Sequence, residues 1–119
     1  MKLFLPVDAA YAFDYWSIFY IKFKMGKLPL DELNQVSSVI SLQIGTELFN
    51  KIIDSNECGD LIKANQETFD LVDKAKNDSI RASEVDRANY QRFIAKQALQ
   101  KKFFKDGLAE VKIGYEKYV

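Results

Sequence analysis

The sequence predicts an all-α protein, a four-helix and mainly antiparallel bundle with short extended segments at its N- and C-termini. Apolar residues recur every three or four positions along four stretches, and Gly, Pro or Asp turn signals separate these stretches. The chain of 119 residues is 48% hydrophobic and 29% charged, a balance typical of a folded domain with an apolar core. No internal repeat or Pro/Gly-rich linker divides it, so we expect one helical domain over residues 1–119.

The first predicted helix follows a short extended piece and runs from Asp8 to about Met25. Asp8 is expected to cap it, since a carboxylate can accept hydrogen bonds from the free N–H groups of a first turn. Gly26 provides the stop signal. Two apolar stripes leave little of this helix for solvent, and a helix of that kind is normally buried on more than one side.

The second predicted helix begins at Asp31, after Pro29, and continues to about Asp54. Its stripe of Leu, Val and Ile residues has helical spacing. Gly45 interrupts the stripe and indicates a kink or a close packing contact.

Two further helices complete the predicted bundle. The third is expected to start at Asp60 and to end near residues 77–79, and the fourth to run from about Ile80 to Lys105. Beyond these helices, apolar and polar residues alternate over residues 111–116, a pattern typical of a strand. The two extended chain ends could therefore pair as a minor β ribbon.

Charge is balanced over the chain but unevenly distributed along it. Seventeen basic and 17 acidic residues cancel, so no overall field draws the protein to nucleic acid or to an anionic membrane. Residues 54–78 are mainly acidic, and residues 81–105 are mainly basic. We therefore expect charge pairing between the third and fourth predicted helices.

The residue inventory argues against most catalytic and metal-binding chemistry. The chain has no histidine and one cysteine, Cys58, so a zinc site with nitrogen and sulfur ligands and a histidine-activated nucleophile are both excluded. Five glycines form no phosphate-binding loop. We predict no catalytic, cofactor-binding or metal-ligating residues and a non-enzymatic protein. A small enzyme with an inconspicuous carboxylate site is the weaker alternative.

The N-terminal segment resembles a secretory signal only in part. The apolar residues 3–5 follow Lys2, but Pro6 and Asp8 end the run well short of a signal core. The aromatic stretch of residues 11–25 contains three charged side chains, so it is not expected to span a membrane. With its single cysteine, the chain is expected to be a mature cytoplasmic protein.

The segment Pro6–Lys22 carries a family resemblance. It is similar to an N-terminal motif, approximately P-V-S-x-G-E-L-x-D-K-x-T-I-L-x-I-K, of small uncharacterised helical proteins of bacteria and their phages. The matching positions are Pro6, Val7, Asp14, Ile18, Ile21 and Lys22. This chain has Ala10-Tyr11-Ala12 in place of Gly-Glu-Leu and Tyr15 in place of Lys, so any site built on that Glu or Lys is absent. The resemblance implies a helical protein and supplies no mechanism.

The aromatic first helix suggests a function in self-association. One interpretation is that all its large side chains are core residues. The other is that its second stripe forms an interface, because aromatic residues are enriched in interface cores. On the second interpretation we predict a homodimer, and a protein partner of another kind is also compatible with it. The predicted contact residues are Tyr11, Tyr15, Trp16, Ile18 and Phe19.

A second candidate surface lies on the fourth predicted helix, where basic and aromatic residues alternate. Such a mixture can bind phosphates and stack bases, which makes nucleic-acid binding the alternative function. The balanced net charge and the spread of the basic residues around the helix argue against it. The residues concerned are Tyr90, Arg92, Lys96 and Lys101.

Overall fold

The computed structural model of the protein describes residues 1–3, 5–76 and 81–106. These residues form five α-helices, and no strand is present among them. The helices are α1 (Ala9–Lys24), α2 (Leu30–Ile44), α3 (Thr46–Ile53), α4 (Asn56–Ala75) and α5 (Ala82–Phe104). The all-α class is therefore confirmed. The strand-like segment 111–116, and with it the possible ribbon between the chain ends, lies outside the described residues.

The predicted count of four helices is wrong, because the second predicted helix is two helices. Gly45 has φ of 92° and ψ of 145°, and it ends α2 and precedes α3. A positive φ is open to glycine at little cost and strains other residues. The interruption seen in the sequence is therefore a break in the helix rather than a kink.

The start of α1 agrees with the predicted position, whereas the starts of α2 and α4 do not. Asp8 occupies the N-cap position of α1 without making a side-chain capping hydrogen bond, and Pro29 rather than Asp31 precedes α2. The helix expected to start at Asp60 begins one turn earlier, because the Ser55 hydroxyl accepts a 3.1 Å hydrogen bond from the Cys58 N–H.

Helix α1 packs against α2, α4 and α5. The N–H of Ala10 donates to Oε1 of Gln100, whereas Asp14, one turn later, faces Lys96 and Arg92. Helix α1 is therefore antiparallel to α5. Since α4 and α5 form an antiparallel hairpin, α1 runs parallel to α4, and the arrangement is not antiparallel throughout.

The core forms where the inner faces of the helices meet. Its fully buried side chains include Phe13 of α1, Ile52 of α3, Leu61 of α4 and Leu99 of α5. Burying a large aliphatic or aromatic side chain contributes roughly 1.5–3 kcal/mol, so these contacts supply the main stabilisation of the fold. No helix in the described part of the chain is both long and apolar enough to cross a membrane.

Candidate functional site

The outward face of α1 is the clearest candidate for a contact surface. Successive helical residues are about 100° apart, so residues at spacings of three and four share one face. We call this face the outward stripe. It consists of Tyr11, Tyr15, Ile18, Phe19, Lys22 and Met25. Five of these six side chains are apolar or aromatic, whereas solvent-facing helix surfaces are usually polar.

An aromatic pair forms the middle of the outward stripe. The rings of Tyr15 and Phe19 lie 4.7 Å apart between centroids with planes inclined by 47°. Tyr15 is 56% exposed, and Met25 at the end of the helix is 43% exposed. Phe19 is half-buried against the core, so the exposed aromatic surface of the pair comes mainly from Tyr15.

Trp16 lies on the opposite side of α1, in the core. It is 5% exposed, and its Nε1 donates a 2.9 Å hydrogen bond to Oγ of Ser37 in α2. Its ring stacks on Tyr20 and meets the edge of Phe49. Of the five predicted contact residues, Trp16 is thus the one that a partner cannot reach, because it packs α1 against α2 and α3.

A buried polar cluster lies beside the outward stripe and joins α1 to α4 and α5. Asp14 Oδ1 accepts a 2.8 Å hydrogen bond from Nδ2 of Asn65, and its Oδ2 lies 3.4 Å from Arg92 Nη2 and 3.9 Å from Lys96 Nζ. Asn65 also donates to Oγ of Ser17 at 2.6 Å. We call these five residues the Asp14 cluster. Its carboxylate faces two cations and an amide, an arrangement suited to holding helices together.

The residues of the second predicted surface do not lie together on the outside of α5. Arg92 and Lys96 point towards Asp14, and Lys96 Nζ also lies 4.8 Å from the centre of the Tyr11 ring. Tyr90 is 8% exposed, whereas Lys101 is exposed. Two of the three cations are thus committed within the protein, so the geometry does not favour a continuous basic surface for nucleic acid.

Two observations on the described residues concern metal binding and cysteine reactivity. They contain no group of three or more potential metal ligands. The Cys58 thiol is fully buried, and this burial, with a smaller contribution from Asp54, raises its pKa to about 12. Since the thiolate is the reactive form of cysteine, this side chain is unreactive in the folded protein.

Sequence reasoning missed most of the Asp14 cluster. In the sequence, Asn65 is four residues from both Leu61 and Phe69 and so shares their helix face, and a polar residue on an apolar face is a signal of a buried hydrogen bond. Gln100, which accepts the hydrogen bond from Ala10, was likewise not identified from the sequence. What the sequence could not show was the shared partner on α1.

The fold and these two features define a helical bundle with an aromatic surface stripe beside a buried polar cluster. Comparison with protein-family models, with curated proteins and with solved structures finds no match to the chain. The resemblance of its N-terminal segment to small bacterial and phage proteins stays a prediction.

Proposed function

We propose that the protein is a non-enzymatic interaction protein of the cytoplasm that forms a homodimer through the outward stripe of α1. The Tyr15–Phe19 ring pair carries this proposal, because Tyr15, 56% exposed and in contact with the half-buried ring of Phe19, presents aromatic surface on α1. Aromatic side chains are enriched in the central regions of protein interfaces, where they bury a large area. A reducing cytoplasm suits a single cysteine that has no partner within the chain.

The proposed dimer is a two-fold contact. In such a dimer the same patch is used by both copies, so α1 of one copy would cross α1 of the other near Tyr15. Lys22, towards the end of the stripe, would lie at the rim of the contact, where charged side chains keep their hydration.

The Asp14 cluster supports the proposal by fixing α1 in place. Hydrogen bonds and ion pairs from α4 and α5 hold the helix on the side next to the stripe. A surface that is rigid before binding loses less conformational freedom on association, which favours affinity. Self-association therefore needs no rearrangement of the bundle.

The test is the solution mass of the protein, measured by light scattering on a sizing column. We expect a dimer that persists at high salt, and a monomer for Tyr15→Glu and for Ile18→Glu. Leu42→Glu is the matched control, since Leu42 is a large apolar residue of α2 that is 86% exposed. The proposal is wrong if both α1 variants keep their helical circular dichroism and still have the mass of the wild-type protein.

A further inference from the structure

The outward stripe of α1 contains a seam with the spacing of a coiled coil. Successive residues of this seam lie four, three, four and three positions apart, and they are Tyr11, Tyr15, Ile18, Lys22 and Met25. A repeat of about 3.5 residues is the one by which two helices pack side by side along their length. The buried residues Phe13 and Trp16 face the other side of α1. The seam therefore suits one further helix, which in the proposed dimer is α1 of the second copy.

Lys22 is the charged residue of the seam. It is exposed, and among the described residues no carboxylate oxygen lies within 4.0 Å of its Nζ. By contrast, Lys102 Nζ lies 3.2 Å from Glu57 Oε1, an instance of the charge pairing expected between α4 and α5. The described part of the chain therefore leaves the charge of Lys22 without a neutralising partner.

A two-fold dimer can pair the two α1 helices in parallel or antiparallel orientation. In a parallel pair each seam residue lies opposite its own copy, so the two Lys22 ammonium groups meet. The spacing from Tyr11 to Lys22 reads the same in both directions, so an antiparallel pair sets Tyr15 level with Ile18 of the other copy and Lys22 level with Tyr11. The two Lys22 residues are then as far apart as positions 11 and 22 of one helix, about 16 Å along the axis.

We propose that Lys22 directs the two α1 helices to pair antiparallel, an inference that rests on the dimer proposed above. Like charges placed opposite each other disfavour a contact, so the parallel pair is the weaker one. A single lysine in the seam of a helix pair is known to select register and oligomer state. Tyr11 already contacts Lys96, whose Nζ lies 4.8 Å from the ring centre, and the preference requires no direct contact of Lys22 with that ring.

Pulsed electron paramagnetic resonance on spin-labelled Met25→Cys measures the orientation. Met25 is 43% exposed at the end of the seam, whereas the Cys58 thiol is fully buried, so the label attaches at position 25. In the antiparallel dimer Met25 lies level with Asp8 of the other copy, which sets the two labelled positions about 25 Å apart along the axis. In a parallel dimer they lie within about 10 Å, the separation of two packed helices. We expect the long distance.

Lys22→Leu in the same labelled protein tests the role of the lysine. This change removes the repulsion between parallel helices, and we expect a second population of dimers at the short distance. Lys24→Leu is the matched control, because Lys24 is an exposed lysine of α1 that lies outside the seam. It makes the same change of charge and should keep the long distance alone.

Two results overturn the assignment to Lys22. One is a short distance in the labelled dimer with Lys22 intact, and the other is a Lys22→Leu dimer that keeps the long distance alone. Light scattering on the same samples separates these results from a failure of the dimer itself. A labelled protein with the mass of a monomer gives no distance between copies, and it refutes the dimer together with the role of Lys22.

Discussion

The amide of Asn65 donates a 2.8 Å hydrogen bond to Oδ1 of Asp14 and a 2.6 Å hydrogen bond to Oγ of Ser17, so one side chain of α4 holds two residues of α1. The Ser17 hydroxyl in turn donates to the Asp14 carbonyl oxygen at 2.7 Å. Because Arg92 and Lys96 approach the second carboxylate oxygen from α5, the three longest helices meet at a single acidic residue.

Replacement of Asp14 by Ala should therefore destabilise the whole bundle. It leaves two mostly buried cations without their carboxylate and the Asn65 amide without one acceptor, and we expect a loss of about 3 kcal/mol in the free energy of unfolding. Urea denaturation followed by circular dichroism measures this loss. Asp86→Ala, at an exposed position of α5, is the control and should change stability by less than about 0.5 kcal/mol. Equal midpoints for the two variants would contradict a structural role of the cluster.

Truncation of Trp16 should lower the stability of the protein, whereas truncation of its neighbour Tyr15 should weaken self-association. Trp16→Ala removes a core side chain and should cost about 3–5 kcal/mol of stability. Tyr15→Ala removes a side chain that is 56% exposed, so it should leave the stability of the monomer nearly unchanged and weaken self-association. Denaturation at low protein concentration and light scattering at high concentration separate the two effects. A large loss of monomer stability in Tyr15→Ala would contradict the assignment of Tyr15 to the surface.

The sequence alone does not show which of these two residues faces the core. Helical periodicity predicted the helices, because each has an apolar stripe of correct spacing. It could not tell which stripe of α1 faces the core, since Tyr15 and Trp16 belong to two stripes that are both apolar. That choice depends on the partners of Trp16, which are Ser37, Tyr20 and Phe49, and two of these belong to other helices.

The sequence showed that the helical pattern is interrupted at Gly45. It did not show that the interruption is the end of one helix and the start of another. A glycine inside an apolar stripe is compatible with a kink, a close contact or a helix end. Among the described residues, no heavy atom outside Gly45 and its two chain neighbours lies within 4 Å of the position that a Cβ of Gly45 would occupy, so close packing is not the reason for the glycine. Its φ of 92° is the reason, and a backbone angle of this kind follows from how α2 and α3 both dock on the core.

Alanine substitutions at Gly45 and Gly59 should consequently change the free energy of unfolding in opposite directions. Gly45→Ala forces a residue with a Cβ into a strained conformation, and we expect a loss of about 1–3 kcal/mol. Gly59 lies within α4 with open space around it, so Gly59→Ala should gain up to about 1 kcal/mol from higher helix propensity. Thermal or urea denaturation of the two variants measures both changes. Two effects of the same sign would contradict a specific requirement for glycine at position 45.

The buried Cys58 thiol should make the protein less stable in alkali. Burial first, and the charge of Asp54 second, raise the pKa of Cys58 from 9.0 to about 12 in the folded protein. Between these two values the unfolded chain loses the thiol proton and the folded chain keeps it. Unfolding then releases a proton, so rising pH favours the unfolded state, by at most about 1.4 kcal/mol per pH unit.

Comparison with Cys58→Ala isolates this effect. All other ionisable side chains are common to both proteins, and the cavity left by the substitution lowers stability by an amount that does not depend on pH. Urea denaturation at several values between pH 8 and pH 11 should show the wild type losing its advantage over Cys58→Ala above pH 9. A difference that stays constant over this range would mean that the thiol ionises as readily in the folded protein as in the unfolded chain.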